Sequence, residues 1–166
     1  DAETDVINLN LTDAVQDADS IWNDTAPTSS VFSIGEDGGV NADGATYVAY
    51  CFHSVDGFSR VGYYIGNSNA NGTFVYTGFR PAFVMTKAAS RTGHWTVKDT
   101  TRSTNEDSTY IFMNTTDAQG TDAAYKFDML SNGFKFYNDD DNQNDTSETY
   151  IYMAFAEFPT KYTNPR

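Results

Sequence analysis

The sequence predicts an all-β, antiparallel β-sandwich of the jelly-roll or concanavalin-like kind. Three observations lead there. Aromatic residues make up 15% of the 166-residue chain, mainly 11 Tyr and 12 Phe, and aromatic and β-branched residues favour a pleated, half-buried surface. Short runs of such residues recur along the chain, separated by Gly, Asn, Asp and Ser clusters that fit tight turns. Helix formers are sparse, so strands at this spacing imply two packed sheets.

In chain order, strands are expected at residues 6–11, 30–35, 46–54, 60–65, 73–77, 81–87, 94–98, 109–114, 124–129, 133–137 and 149–157. Turn signals fall between them: Glu36-Asp-Gly-Gly39, Asp43-Gly44, Asp56-Gly57, Asn71-Gly72 and Ser131-Asn-Gly133. One short helix fits residues 13–22. Lys87, Lys98 and Lys135 fall in or beside strands, where a charge protects a sheet edge from adventitious pairing. In the last strand Ile151, Met153 and Phe155 share one face and read as core. Tyr150, Tyr152 and Ala154 share the other, which is either surface or a second packed face.

The chain also repeats itself. Ile7-Asn-Leu-Asn-Leu-Thr-Asp-Ala14 matches Ile111-Phe-Met-Asn-Thr-Thr-Asp-Ala118 at an offset of 104, and Thr46-Tyr-Val-Ala-Tyr-Cys-Phe52 matches Thr149-Tyr-Ile-Tyr-Met-Ala-Phe155 at 103. Residues 30–34 then align with 133–137, and Asn41 with Asn144. Residues 1–56 therefore read as the second half of a first unit, and 57–166 as a complete second unit. Either the parent polypeptide carries further units upstream, which is the preferred reading, or the two parts form one joint sandwich. Equivalence of the copies predicts that Phe52 and Phe155 are both buried, and Tyr47 and Tyr150 at least in part. As a core residue, Phe155 replaced by Ala would cost about 3–5 kcal/mol.

Composition narrows function. The net charge is −13 and the pI about 4.2, which repels phosphate and argues against nucleic acid and anionic membranes as partners. No apolar stretch is long enough to cross a bilayer as a helix, and the first residues, Asp-Ala-Glu-Thr-Asp, carry no signal pattern. A virion protein needs no signal, and an exported one would be seen here in mature form. Cys51 is the single cysteine; in its apolar run it reads as a small buried hydrophobe. With only His53 and His94 and no G-x-S-x-G elbow, a Ser-His-Asp arrangement has no support, and a His-rich zinc site none either.

Glu148, Glu157 and Asp128 could supply a glycosidase carboxylate pair, although any acidic protein offers such pairs and a solvated acidic face explains them as well. The run Asp139-Asp-Asp-Asn-Gln-Asn-Asp145 is the best calcium candidate: Asp139, Asp141 and Asp145 alternate as oxygen ligands, but the EF-hand glycine and closing glutamate are absent. No cofactor other than calcium is suggested. Five Asn-x-Ser/Thr sequons, at Asn10, Asn23, Asn71, Asn114 and Asn144, are what an Asn- and Thr-rich chain contains by chance.

Ser30-Val-Phe-Ser-Ile-Gly35, Thr46-Tyr-Val-Ala-Tyr-Cys-Phe52, Gly57-Phe-Ser59, Thr73-Phe-Val-Tyr-Thr-Gly-Phe-Arg-Pro-Ala-Phe-Val-Met85, Leu130-Ser-Asn-Gly-Phe-Lys135 and Thr149-Tyr-Ile-Tyr-Met-Ala-Phe-Ala-Glu157 resemble an uncharacterised domain. It recurs at the C-terminal ends of structural proteins of marine tailed bacteriophages, and the likeness covers residues 7–166. Two places depart from it: His53-Ser-Val55, where a short acidic segment is expected, and the expanded acidic turn 139–145. The resemblance implies a location on the virion surface, as a tail-fibre, head-fibre or adhesin module contributing to assembly and host attachment, or as a capsid decoration protein. Other virion proteins, a second copy and host-surface glycans are the partners it implies. It identifies no catalytic residue, and a tailspike-type glycan-degrading enzyme is the reading least supported.

Overall fold

The structure is a computed structural model and describes residues 3–103, 105 and 107–158. Its strands are β1 (Asp5–Val6), β2 (Gln16–Asp17), β3 (Ser59–Ile65), β4 (Phe74–Tyr76), β5 (Pro81–Ala88), β6 (Thr96–Asp99), β7 (Thr109–Phe112), β8 (Gly120–Thr121), β9 (Phe127–Leu130), β10 (Gly133–Phe136) and β11 (Thr149–Ala156). Two single-turn helices, α1 (Asp19–Trp22) and α2 (Gly38–Asn41), and a 3-10 turn at Ala123–Tyr125 complete it. Every pairing is antiparallel.

The chain is an antiparallel all-β sandwich, as the residue pattern predicts. A six-stranded sheet, β3-β11-β5-β6-β7-β8, lies against a three-stranded sheet, β4-β10-β9. Both are drawn from residues 59–156. The described residues before Ser59 add β1 paired with β2, the two helical turns and a single antiparallel bridge from Val55 to Ser59.

Register places the core. Tyr150 lies opposite Tyr64 and Ala88, Tyr152 opposite Gly62 and Thr86, and Ala154 opposite Val84. Directly paired residues point to one face, so these form the inner side of the large sheet. Phe127, Met129, Phe134, Phe136 and Val75 meet them from the small sheet in one buried cluster. Tyr64 stacks on Tyr150 with ring centroids 5.1 Å apart at 11° and on Phe136 at 5.0 Å, while Phe134 meets Tyr152 edge-on at 5.4 Å. Gly62 serves this layer: a Cβ there would stand 3.1 Å from the Tyr152 ring, so a larger residue would have to push that ring aside by a few tenths of an ångström.

Several expectations are corrected. The core face of β11 is the tyrosine face, and Ile151, Met153 and Phe155 are only half-buried on the outer side. A tyrosine can occupy a core when its hydroxyl is paired; that of Tyr150 donates to Asp141 O and accepts from Asp145 N. Residues 30–35 and 46–54 form no strand, and 6–11 reduces to β1. A strand persists only with hydrogen-bonding neighbours, and 46–54 has none of the kind that β3 and β5 give β11. Phe52 is consequently 56% exposed, and Tyr47 keeps only partial cover at 45%. Cys51 is exposed as well, not a buried hydrophobe. The predicted helix 13–22 shrinks to α1 because Gln16 and Asp17 are committed to β2. The 124–129 strand begins as the 3-10 turn, capped by the Asp122 carboxylate on Ala124 N.

Lys87 and Lys98 do not guard edges. They lie in the interior strands β5 and β6 and are buried. Lys135 sits in β10, the middle strand of the small sheet, with Nζ donating to Gly72 O at 2.8 Å.

Phe155 gives a quantitative check of the inverted face. Its ring touches Phe52, Phe58 and Phe83 at centroid distances of 6.0–6.1 Å, and two of these partners are themselves exposed. Phe155→Ala is therefore expected to cost about 1–2 kcal/mol in a urea melt, below the range for a fully buried aromatic. A loss of 3 kcal/mol or more would put the core back on the Phe155 side.

Candidate functional site

The acidic turn between β10 and β11 is built around a buried amide. Asn144 is completely buried; its Nδ2 donates to Asn138 O at 2.6 Å, Asn67 Oδ1 at 2.9 Å and Asn69 O at 3.2 Å, and its Oδ1 accepts from Asn67 N at 3.1 Å. The Asp140 carboxylate accepts from Asn142 N at 2.8 Å. These bonds fix the loop that carries the calcium candidates. Arg91, from the far side of β5, reaches into it, with NH1 2.6 Å from Asp145 Oδ2 and NH2 2.7 Å from Asp141 Oδ2.

A hydrogen bond from the Ser68 hydroxyl, the Thr146 amide and the Arg91 charge hold the Asp145 carboxyl below the usual range. The bond to Asp141 raises the Arg91 guanidinium in turn. The structure thus brings Asp141 and Asp145 together around an arginine, while Asp139 points to solvent. Among the described residues no group of three or more His, Cys, Asp or Glu side chains is set to hold a metal. The arrangement ties the turn to the β5 end as an electrostatic clasp.

The other candidates are dispersed. Glu157, beyond one end of β11, pairs with Arg80 at 3.0 Å. Glu148, before the other end, accepts from the Ser90 hydroxyl. The strand between them spans roughly 30 Å at about 3.3 Å per residue, whereas a glycosidase pair stands roughly 5–10 Å apart. These two carboxylates cannot address one bond. Asp128 is buried in β9 of the other sheet. His94 stacks on Phe112 at 4.1 Å with its Nδ1 3.2 Å from Asn114 Nδ2, and His53 is exposed beside Ser54 O. A surface dent lined by Lys98, Asp99, Arg102, Ser103, Thr109 and Tyr110, among others, encloses no ligand-sized space.

Burial lowers both interior lysines to about 8. Lys87 Nζ donates to Ala88 O at 2.6 Å. Lys98 Nζ donates to Phe127 O at 2.7 Å and to Asp107 O, and lies 4.8 Å from the centre of the Phe127 ring. Burial raises the Tyr125 and Tyr150 hydroxyls to about 12.

These shifts set an alkaline stability profile. Between about pH 8 and 10 the unfolded chain still holds lysine protons that the folded chain has released, so stability rises with pH. Above about pH 10 the folded chain keeps tyrosine protons that the unfolded chain loses, and stability falls. Urea melts at constant ionic strength should show a gain of about 2–4 kcal/mol from pH 7 to 9.5, up to about 2 kcal/mol from each lysine, and a decline by pH 11.5. The double variant Lys87→Met with Lys98→Met should flatten the rise. A flat wild-type profile across pH 7–9.5 would contradict the burial of both lysines.

One surface is apolar. Val48, Tyr50 and Phe52 are exposed on the segment before β3, and Phe58 is exposed beside that strand. Val61, Tyr63 and Ile65 then line the outer face of β3, where Val61 lies opposite Met153 and Tyr63 opposite Ile151. β3 is the end strand of the large sheet, so one of its edges has no strand partner. Val55 bridges Ser59, and the Ser54 hydroxyl accepts from Val61 N and donates to Val61 O, so the start of that edge is already covered. The exposed apolar side chains themselves are the usual mark of a protein-binding surface. Sequence reading missed this patch because it assigned 46–54 to a paired strand. It missed Arg91 because its partners lie 50 and 54 residues away.

No curated protein and no solved structure matches the chain. A family model described as a domain of unknown function, DUF7483, matches residues 1–159, and the chain belongs to that family.

Proposed function

We propose that this chain is a surface module of a bacteriophage particle, of the fibre or adhesin kind, whose work is assembly and host attachment rather than catalysis. The observation that carries an assembly role is the exposed apolar surface of Val48, Tyr50, Phe52, Val61, Tyr63 and Ile65, which a neighbouring protein would cover. The phage setting comes from the motif resemblance, and the charge of −13 suits a soluble outer part whose partners are virion proteins and host-surface glycans.

Two experiments test the reading. Antibody raised against this chain should decorate intact particles at tail or head fibres. Label confined to the capsid shell would make decoration the role, and particles that encode the chain yet bind no antibody would refute a virion location. Purified protein should be retained on host cells without releasing reducing ends from host-surface glycans. Sustained release that vanishes in Glu157→Gln would replace the adhesin reading with an enzymatic one.

A further inference from the structure

The N-terminal part reproduces the geometry of the C-terminal part. β1 pairs with β2 in the register Asp5↔Asp17 and Val6↔Gln16, and β7 pairs with β8 in the register Thr109↔Thr121 and Tyr110↔Gly120. All four residues correspond at an offset of 104. At the same offset, Ala18 N donates to Thr4 O at 2.8 Å, and Asp122 N to Ser108 O at 3.1 Å. Further along, the offset becomes 103. The Tyr47 hydroxyl accepts from Ala42 N at 2.9 Å and donates to Gly38 O at 2.7 Å; the Tyr150 hydroxyl accepts from Asp145 N at 2.8 Å and donates to Asp141 O at 2.7 Å. Asn41 Nδ2 donates to Gly35 O at 2.8 Å, as Asn144 Nδ2 does to Asn138 O at 2.6 Å. The Asp37 carboxylate accepts from Gly39 N at 2.7 Å, and that of Asp140 from Asn142 N at 2.8 Å. Asx turns are common singly. A tyrosine bonded to the same two backbone positions, with the same amide beside it, is not.

The copies differ in what covers them. β11 is hydrogen-bonded to β3 on one side and β5 on the other, and β7 to β6. Tyr64 of β3 stacks on Tyr150. All of this cover lies within residues 59–99. Among the described residues the N-terminal copy has no counterpart: Tyr47 is 45% exposed where Tyr150 is fully buried, Val48, Tyr50 and Phe52 are exposed, and β1–β2 stands as a sheet of its own.

We infer that residues 4–52 form a half-unit that docks onto a polypeptide homologous to residues 57–103 of this chain, with residues 46–52 entering as a central strand between two strands of the β3 and β5 type. Insertion pairs the free backbone groups of 46–52 and turns Tyr47, Ala49 and Cys51 inward, as β11 turns Tyr150, Tyr152 and Ala154. A second copy of the chain is not the partner, because β11 already fills its slot. The inference rests on the assembly role proposed above and names its partner; it does not depend on the phage setting.

Grafting residues 57–103 directly before Asp1 of the 166-residue chain gives residues 4–52 the half-unit they are inferred to dock onto, and tests the inference. Cys51, exposed in the ungrafted protein, aligns with the fully buried Ala154. Its alkylation by a maleimide is expected to slow more than about tenfold in the graft, with new hydrogen-exchange protection at residues 46–52. The graft bearing Ala49→Asp, which puts a carboxylate at the inward position matching Tyr152, is expected to label as fast as the ungrafted chain. Unchanged labelling in the graft overturns the inference, as does equal protection with Ala49→Asp or slow labelling of the ungrafted chain through self-association. None of these results moves the antibody label on the particle, so the two readings fail separately.

Discussion

Tyr150→Ala is expected to lower stability by about 3–5 kcal/mol in a urea or guanidinium melt. The ring is fully buried, lies flat on Tyr64 at 5.1 Å and sits in the strand that joins β3 to β5. Removal opens a cavity at the centre of the large sheet and leaves Asp141 O and Asp145 N without the hydroxyl they share. Tyr150→Phe separates the two effects: the ring stays, and about 1–2 kcal/mol should be lost with the hydrogen bonds. Tyr47→Ala is the internal control. It breaks the same two bonds in a solvent-exposed setting and should cost less than about 1 kcal/mol. Equal losses at Tyr47 and Tyr150 would mean that burial between the sheets is not what stabilises this strand.

Asn144→Ala should cost about 2–3 kcal/mol, because it strips a partner from the buried Asn138 and removes the buried amide that ties the exposed Asn67 and Asn69 to the turn, and an unpaired buried polar group costs about 1–3 kcal/mol. The damage should be local before it is global. Amide exchange should accelerate at Asn67, Ser68 and Gly72, which bond to the acidic turn or to Phe136 beside it, while the pairing of β5 with β6 remains protected. Asn144→Asp keeps the size and removes the donors, so it should be at least as harmful. If both variants melt like the parent, the turn is held by the Arg91 clasp instead. Arg91→Ala, which removes a partly exposed pair worth about 1 kcal/mol or less, would then be the more damaging change.

The strands of residues 59–156 were legible because each needs only local information. Alternation marks β3, β5 and β11, and Asn71-Gly72 and Ser131-Asn-Gly133 punctuate the chain where it turns before β4 and between β9 and β10. The faces of β11 were not legible. Hydropathy ranks Ile151, Met153 and Phe155 above the tyrosines, but the second sheet packs on the tyrosine side, and Asp141 and Asp145 pair the hydroxyl that would otherwise oppose burial. The carboxylates of the acidic turn read as metal ligands because Arg91 is remote in sequence. Lys87 and Lys98 read as edge guards because strand order cannot be seen in a linear chain.

Taken alone, the sequence determined the antiparallel β class and the turn positions, both of which follow from residue types at short range. Tertiary structure decided which side of each strand is core, which charges meet, and which apolar segments stay uncovered. Thr46–Phe52 and Thr149–Phe155 share Thr, Tyr and Phe at matching positions, yet one is an exposed segment and the other the buried centre of a sheet. The physical reason is that a strand's backbone groups and apolar face are satisfied only by neighbouring strands, and among the described residues 149–155 have them while 46–52 do not.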